Sequence, residues 1–67
     1  MIVFAQAVAY YPGDRDGTPG APMVAFVERV IDNDTADITV LRRSATLYDV
    51  PRCAPATPAA GCWSVLP

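Results

Sequence analysis

The sequence predicts an all-β domain: a small five-stranded, partly open barrel with a long early loop and a Pro/Ala-rich extended C-terminal segment. Short segments rich in β-branched and aromatic residues alternate with turn-forming segments along the whole chain. A chain of 67 residues is long enough for one domain only, covering residues 1–67, and at 52% hydrophobic residues it is too apolar for a disordered segment. Five short strands and one long early loop fit a strongly bent, partly open barrel.

The first predicted strand covers residues 2–11, which are rich in Val, Ile, Phe and Tyr. Both of its faces are apolar, unlike an antiparallel strand with one face in water. A helix is the competing interpretation because of the alanines, but no capping residue precedes the segment and it ends in Tyr-Tyr-Pro. Residues 12–22 hold three prolines and three glycines, and these residues predict a loop.

A hairpin follows the loop. Residues 23–31 form the predicted second strand and residues 37–43 the third, with a polar turn at residues 32–36 between them. Glu28 and Arg29 interrupt the alternation of the second strand, which indicates a β-bulge.

The C-terminal part contains two short predicted strands and both cysteines. Residues 46–50 form the fourth strand and residues 62–66 the fifth; the Pro/Ala-rich segment between them favours polyproline-like conformations. Paired, Cys53 and Cys62 close a loop of about ten residues and stabilise the fold by about 2.7 kcal/mol. The N-terminal segment lacks the basic region of a signal peptide, so we expect an intracellular product. We therefore favour reduced thiols, with a Cys53–Cys62 disulfide as the alternative.

Composition and charge argue against several function classes. The chain has no His and no Lys, which removes most routes to a general base, a Schiff base or a catalytic triad, so we expect neither an enzyme nor a cofactor. The net charge of −2 argues against nucleic acid as a partner, and no segment predicts a membrane partner. Only 18% of residues are charged, which suits a surface that is partly covered by neighbouring subunits.

Two acidic clusters are weak metal-site candidates. Residues 14–18, Asp-Arg-Asp-Gly-Thr, are similar to the front half of a calcium loop but lack its distal glutamate. Asp32, Asp34 and Asp37 could also offer oxygen ligands to a hard cation. Solvated turns explain both clusters more simply, so no metal site is predicted.

Aromatic and arginine side chains are the candidate protein-binding residues, since both types are enriched at the centres of interfaces. The candidates are Tyr10, Tyr11, Arg42, Arg43, Tyr48 and Trp63. A barrel of this size also needs large side chains in its core, which favours a core or rim position for Trp63.

The order of these features resembles small tailed-bacteriophage proteins with an SH3-like β-barrel. The matching positions are Val8, Tyr10 and Pro12, then residues 22–30, 37–40, 48–50 and 61–63, the last being Gly-Cys-Trp. The apolar start at residues 2–7 and the Cys-bearing Pro/Ala segment depart from the family pattern. The resemblance implies an SH3-like fold and a phage context more than a mechanism.

The resemblance leads to two hypotheses about function. The first is a virion accessory protein made in the host cytoplasm, a capsid decoration or cement subunit. Its partners are the major capsid protein or neck or tail subunits, with many copies or a homo-oligomer. The alternative is an intracellular phage protein that binds and inhibits a host factor. A metal-binding or enzymatic domain is a third, weaker interpretation.

Overall fold

The computed structural model describes residues 2–13 and 17–66 and contains one five-stranded antiparallel sheet. The strands are β1 (Ala7–Tyr11), β2 (Met23–Asp32), β3 (Thr35–Val40), β4 (Ala45–Pro51) and β5 (Cys62–Val65). A 3-10 turn, Leu41–Arg43, connects β3 to β4, and the described part of the chain has no α-helix. The prediction of five strands in an all-β fold is therefore confirmed.

The sheet is curled into a half-barrel. Its strand order is β4-β3-β2-β1-β5, so β4 and β5 are the two outer strands. They meet at an isolated parallel bridge between Arg52 and Trp63. This curled five-stranded arrangement is consistent with a small SH3-like barrel and with the predicted partly open form.

The concave face of the sheet encloses the hydrophobic core. Trp63 is its largest fully buried side chain. The other members are Ile2, Val8, Tyr10, Ala25, Val27, Ala36, Ile38, Val40 and Val50, with Met23, Leu47 and Val65 packed against them. Most of them occupy alternate positions on their strands, which is the pattern expected when one face of a sheet is buried.

Two β-bulges lie opposite Asp37, one on β2 and one on β4, and β2 has a further register shift at Ile31. On β2, Glu28 is inserted between two residues that pair with consecutive residues of β3, which confirms the predicted bulge. On β4, Tyr48 and Asp49 occupy the space opposite Asp37, and Asp49 takes a left-handed φ of 53°. The backbone N–H of Asp49 donates to Oδ1 of the buried Asp37 over 2.8 Å, so this carboxylate holds the second bulge in place.

The prediction for the first strand is wrong at its N-terminal end, because β1 begins at Ala7. Residues 3–6 form a turn in which the Gln6 N–H donates to the Val3 carbonyl over 3.2 Å and Ala5 has a φ of 66°. The Gln6 side chain also accepts from the Val3 N–H. Ile2 then lies in the core. The apolar character on both faces of residues 2–11 thus reflects a turn and a core anchor rather than a two-faced strand.

Two further segments differ from prediction. The third strand begins at Thr35 rather than at residue 37, because Thr35 still pairs with Asp32. It ends at Val40 rather than at residue 43, because the chain enters the 3-10 turn and Ser44 adopts a left-handed φ of 50°. The Pro/Ala-rich segment is not uniformly extended: the Thr57 N–H donates to the Ala54 carbonyl, and Gly61 has a φ of 75°. Both differences arise where the chain reverses direction between neighbouring strands.

A disulfide between Cys53 and Cys62 ties the end of β4 to the start of β5. The expectation of reduced thiols is therefore wrong for this structure, in which the two cysteines are bonded. Beside this bond, the Cys53 N–H donates to the Trp63 carbonyl over 2.7 Å, and the Trp63 indole N–H donates to the Val50 carbonyl over 2.8 Å. Covalent and hydrogen bonds together close the seam between β4 and β5.

Candidate functional site

Exposed apolar side chains on the outer face of β2 are the main candidate contact surface. Val24 is 51% exposed and Phe26 is 37% exposed, and both point away from the core that Ala25 and Val27 enter. Their cross-strand partners on β1 are the small residues Ala9 and Ala7. Ala7 is half-buried and Ala9 is buried, so the outer patch is formed by the exposed Val24 and Phe26, with Ala7 at its border.

Large apolar side chains other than Val24 and Phe26 are also exposed. Val3 and Phe4 lie in the N-terminal turn, and Phe4 is 71% exposed. The others are Val30, Ile31, Leu41, Tyr48 and Leu66. Single exposed apolar residues are ordinary on a protein surface, whereas adjacent ones are typical of interaction sites.

The structure divides the six candidate protein-binding residues between core and surface. Tyr10 and Trp63 are paired across β1 and β5 and are buried. Neither side chain is therefore presented to a partner in this fold; both are core residues, and for Trp63 the sequence already favoured a core or rim position. The Arg52 guanidinium lies 5.5 Å from the centre of the Trp63 ring, which adds a cation–π contact at the seam.

The other four candidates are accessible. Tyr48 projects from the β4 bulge and is 73% exposed. Arg42 and Arg43 are exposed in the 3-10 turn, and Tyr11 is half-buried at the end of β1. The structure does not gather them into one cluster, because the 3-10 turn, the bulge and the end of β1 lie in different parts of the sheet.

A polar cleft lies at the seam. It has a volume of about 320 Å³ and is lined by Asp34, Arg52, Cys53, Ala54 and Pro55. Arg52 is held there by hydrogen bonds from its guanidinium to the carbonyl and side-chain oxygens of Asn33, at 3.1 and 3.4 Å. Because its guanidinium already has these partners, the cleft is explained by the closure of the barrel and needs no ligand.

The acidic clusters have structural partners where they are described. Asp32 Oδ1 accepts the Asp34 N–H over 2.7 Å, as in an Asx turn, and Asp37 binds the β4 bulge. Within residues 2–13 and 17–66, no group of three or more potential metal ligands comes together. The calcium-like segment falls partly on residues 14–16, which lie outside the described residues.

Sequence reasoning did not single out the outer patch as a site. The signal was present in the sequence of β2. A strand with one face in water normally alternates apolar and polar residues, whereas β2 carries apolar residues at every position from Met23 to Val27. The pattern alone could not tell which of the two apolar sets enters the core.

Comparisons with protein-family models, characterised proteins and solved structures found no match to this chain. The described residues include no helix long and apolar enough to cross a membrane. The fold and its surface define a class: a small disulfide-closed, five-stranded antiparallel half-barrel with an apolar patch on its convex face.

Proposed function

We propose that this chain is a virion accessory subunit of a tailed bacteriophage, in the simplest case a capsid decoration or cement protein. The phage context rests on the sequence resemblance. The observation that supports a packing role is the outer patch. Val24 and Phe26 are exposed there, whereas the next residue after each, Ala25 and Val27, is buried.

Burial of the outer patch on a neighbouring subunit fits the energetics of a small domain. Covering apolar surface contributes about 25 cal/mol per Å², and a domain of this size has little stability in reserve. Binding to the folded state also stabilises it by mass action. Many fixed copies on a shell would supply this stabilisation permanently, without catalysis by the subunit itself.

Mass spectrometry of purified virions tests the proposal. We expect the chain in many copies per particle, and we expect particles that lack it to release their DNA at a lower temperature. Complete absence of the chain from virions contradicts the proposal and instead supports an intracellular protein that binds a host factor.

A matched pair of variants tests the role of the outer patch. Val24→Thr/Phe26→Thr removes apolar surface while keeping residues that favour strands. Val3→Thr/Phe4→Thr removes the same two residue types from the N-terminal turn, where both are also exposed. We expect the first variant, but not the second, to lose binding to particles that lack the protein. Equal binding by both variants would show that the outer patch does not contribute to binding.

A further inference from the structure

The two ends of β3 carry opposite charge. Asp32 and Asp34 lie at the turn before this strand, and Arg42 and Arg43 lie in the 3-10 turn after it. A six-residue strand separates them, and at about 3.3 Å per residue this places the two charged ends roughly 20 Å apart. Within residues 2–13 and 17–66, β3 therefore has a basic end and an acidic end.

At the basic end, an exposed apolar side chain lies beside two cationic ones. Leu41 is 59% exposed, and Arg42 and Arg43 follow it in the same turn. Among the described residues, neither guanidinium has a hydrogen-bond or ion-pair partner. Arginine is one of the residue types enriched in protein interfaces.

At the acidic end, the same combination occurs with the opposite charge. Val30 and Ile31 are exposed near the end of β2, immediately before Asp32 and Asp34. Asp32 caps the turn, and the Asp34 carboxylate has no partner within the part of the chain that the structure describes. Arg52 reaches this end through Asn33, but its single positive charge does not balance the carboxylates of Asp32 and Asp34.

We propose that copies of this chain associate head to tail, with the Leu41–Arg43 end of one copy docked on residues 30–34 of the next. Opposite charges then meet, and exposed apolar side chains on both ends are covered. A two-fold contact between like ends would bring like charges together, which is unfavourable. Such a head-to-tail contact closes into a ring or continues as a filament, depending on the rotation between copies.

The inference concerns contacts between copies and does not depend on the virion role. It is tested on the purified full-length chain alone by sedimentation velocity. We expect reversible association that weakens between about 0.01 and 1 M salt, because the Debye length falls from about 30 to 3 Å over that range. A chain that stays monomeric up to about 1 mM protein overturns the proposal.

Charge reversal at each end gives the sharper test. Arg43→Glu makes the basic end nearly neutral, and Asp34→Lys reverses a charge at the acidic end. We expect each variant alone to self-associate about tenfold more weakly than the original chain. An equimolar mixture should recover association, because the unchanged basic end of the Asp34→Lys chain meets the unchanged acidic end of the Arg43→Glu chain, as in the original contact.

Arg29→Glu is the matched control, because it makes the same charge change as Arg43→Glu but next to the acidic end, three residues before Asp32 on β2. Because it adds negative charge to the acidic end, we expect it to leave association as strong as in the original chain or stronger, whereas Arg43→Glu weakens it. Equal weakening by Arg29→Glu and Arg43→Glu means that net charge alone matters, and it overturns the proposal. A mixture that stays as weak as its components also overturns it.

Discussion

Ala5 occupies a backbone conformation that suits glycine better than alanine. Its φ of 66° lies in the left-handed region, where the Cβ of an L-residue crowds the following carbonyl at a cost of about 1–2 kcal/mol. The turn keeps this conformation because it is tied to β2: the Ala5 N–H donates to the Val27 carbonyl, and the Val27 N–H donates to the Gln6 carbonyl. The burial of Ile2 in the core thus outweighs the preference of Ala5 for a negative φ.

Ala5→Gly should therefore stabilise the protein. Relief of the left-handed strain exceeds the added chain entropy of glycine in the unfolded state, so we expect a gain of about 0.5–1 kcal/mol in the free energy of unfolding. Urea denaturation measures it. Ala7→Gly makes the same change inside β1, where φ is not positive, and it should destabilise by about 0.5–1 kcal/mol. A loss of stability in both variants would contradict the strain at Ala5.

At the scale of elements, the strands were largely predictable and their ends were not. The run of apolar residues after the Gly/Pro-rich loop predicted β2 within one residue, and Glu28 and Arg29 marked its bulge. The N-terminal turn was missed because the residue with positive φ is an alanine, which carries no turn signal. The 3-10 turn was missed because its residues, Leu-Arg-Arg, carry no turn signal and are compatible with a strand.

The seam between β4 and β5 is the element contact that depends most on covalent chemistry. Within the described residues the two strands meet at one bridge, whereas every other neighbouring pair has a ladder of several paired residues. Cys53 and Cys62 are nine residues apart, so their disulfide closes a short loop. Thiols made in a reducing compartment would pair only after the protein meets an oxidising environment.

Reduction of the disulfide should weaken the fold by about 2.7 kcal/mol, the entropy of closing a loop of about ten residues. We expect the thermal midpoint to fall in a thiol reductant. The variant Cys53→Ala/Cys62→Ala should show the lower midpoint with and without reductant. An unchanged midpoint on full reduction, verified by thiol alkylation, would show that hydrogen bonds at Trp63 suffice to hold the seam.

At the scale of the whole molecule, the chain is as compact as expected for its length. Its Cα radius of gyration is 10.6 Å, close to the roughly 11 Å expected for a compact chain of this length. Trp63 links the parts of this core, since it pairs with β1, donates to β4 and lies under Arg52. Loss of the core packing should thus destabilise all five strands together.

Unfolding should accordingly occur in one cooperative transition. The chain has a single Trp, and it is fully buried, so its fluorescence reports on the core, while far-ultraviolet circular dichroism reports on the strands. Small single domains usually unfold in two states, so we expect the two urea curves to coincide. Separate midpoints would mean that part of the sheet, such as the β5 side, unfolds independently.

The sequence by itself determined the all-β class, the five strands and the bulge on β2, because these depend on local propensity and on the period of apolar residues. Tertiary structure decided which apolar residues face inward. Val24 and Phe26 lie on the outer face of the curled sheet, and Ala25 and Val27 on the inner one. Tertiary structure also decided the pairing of the two cysteines and the burial of Tyr10, because curling of the sheet brings residues distant in the chain together.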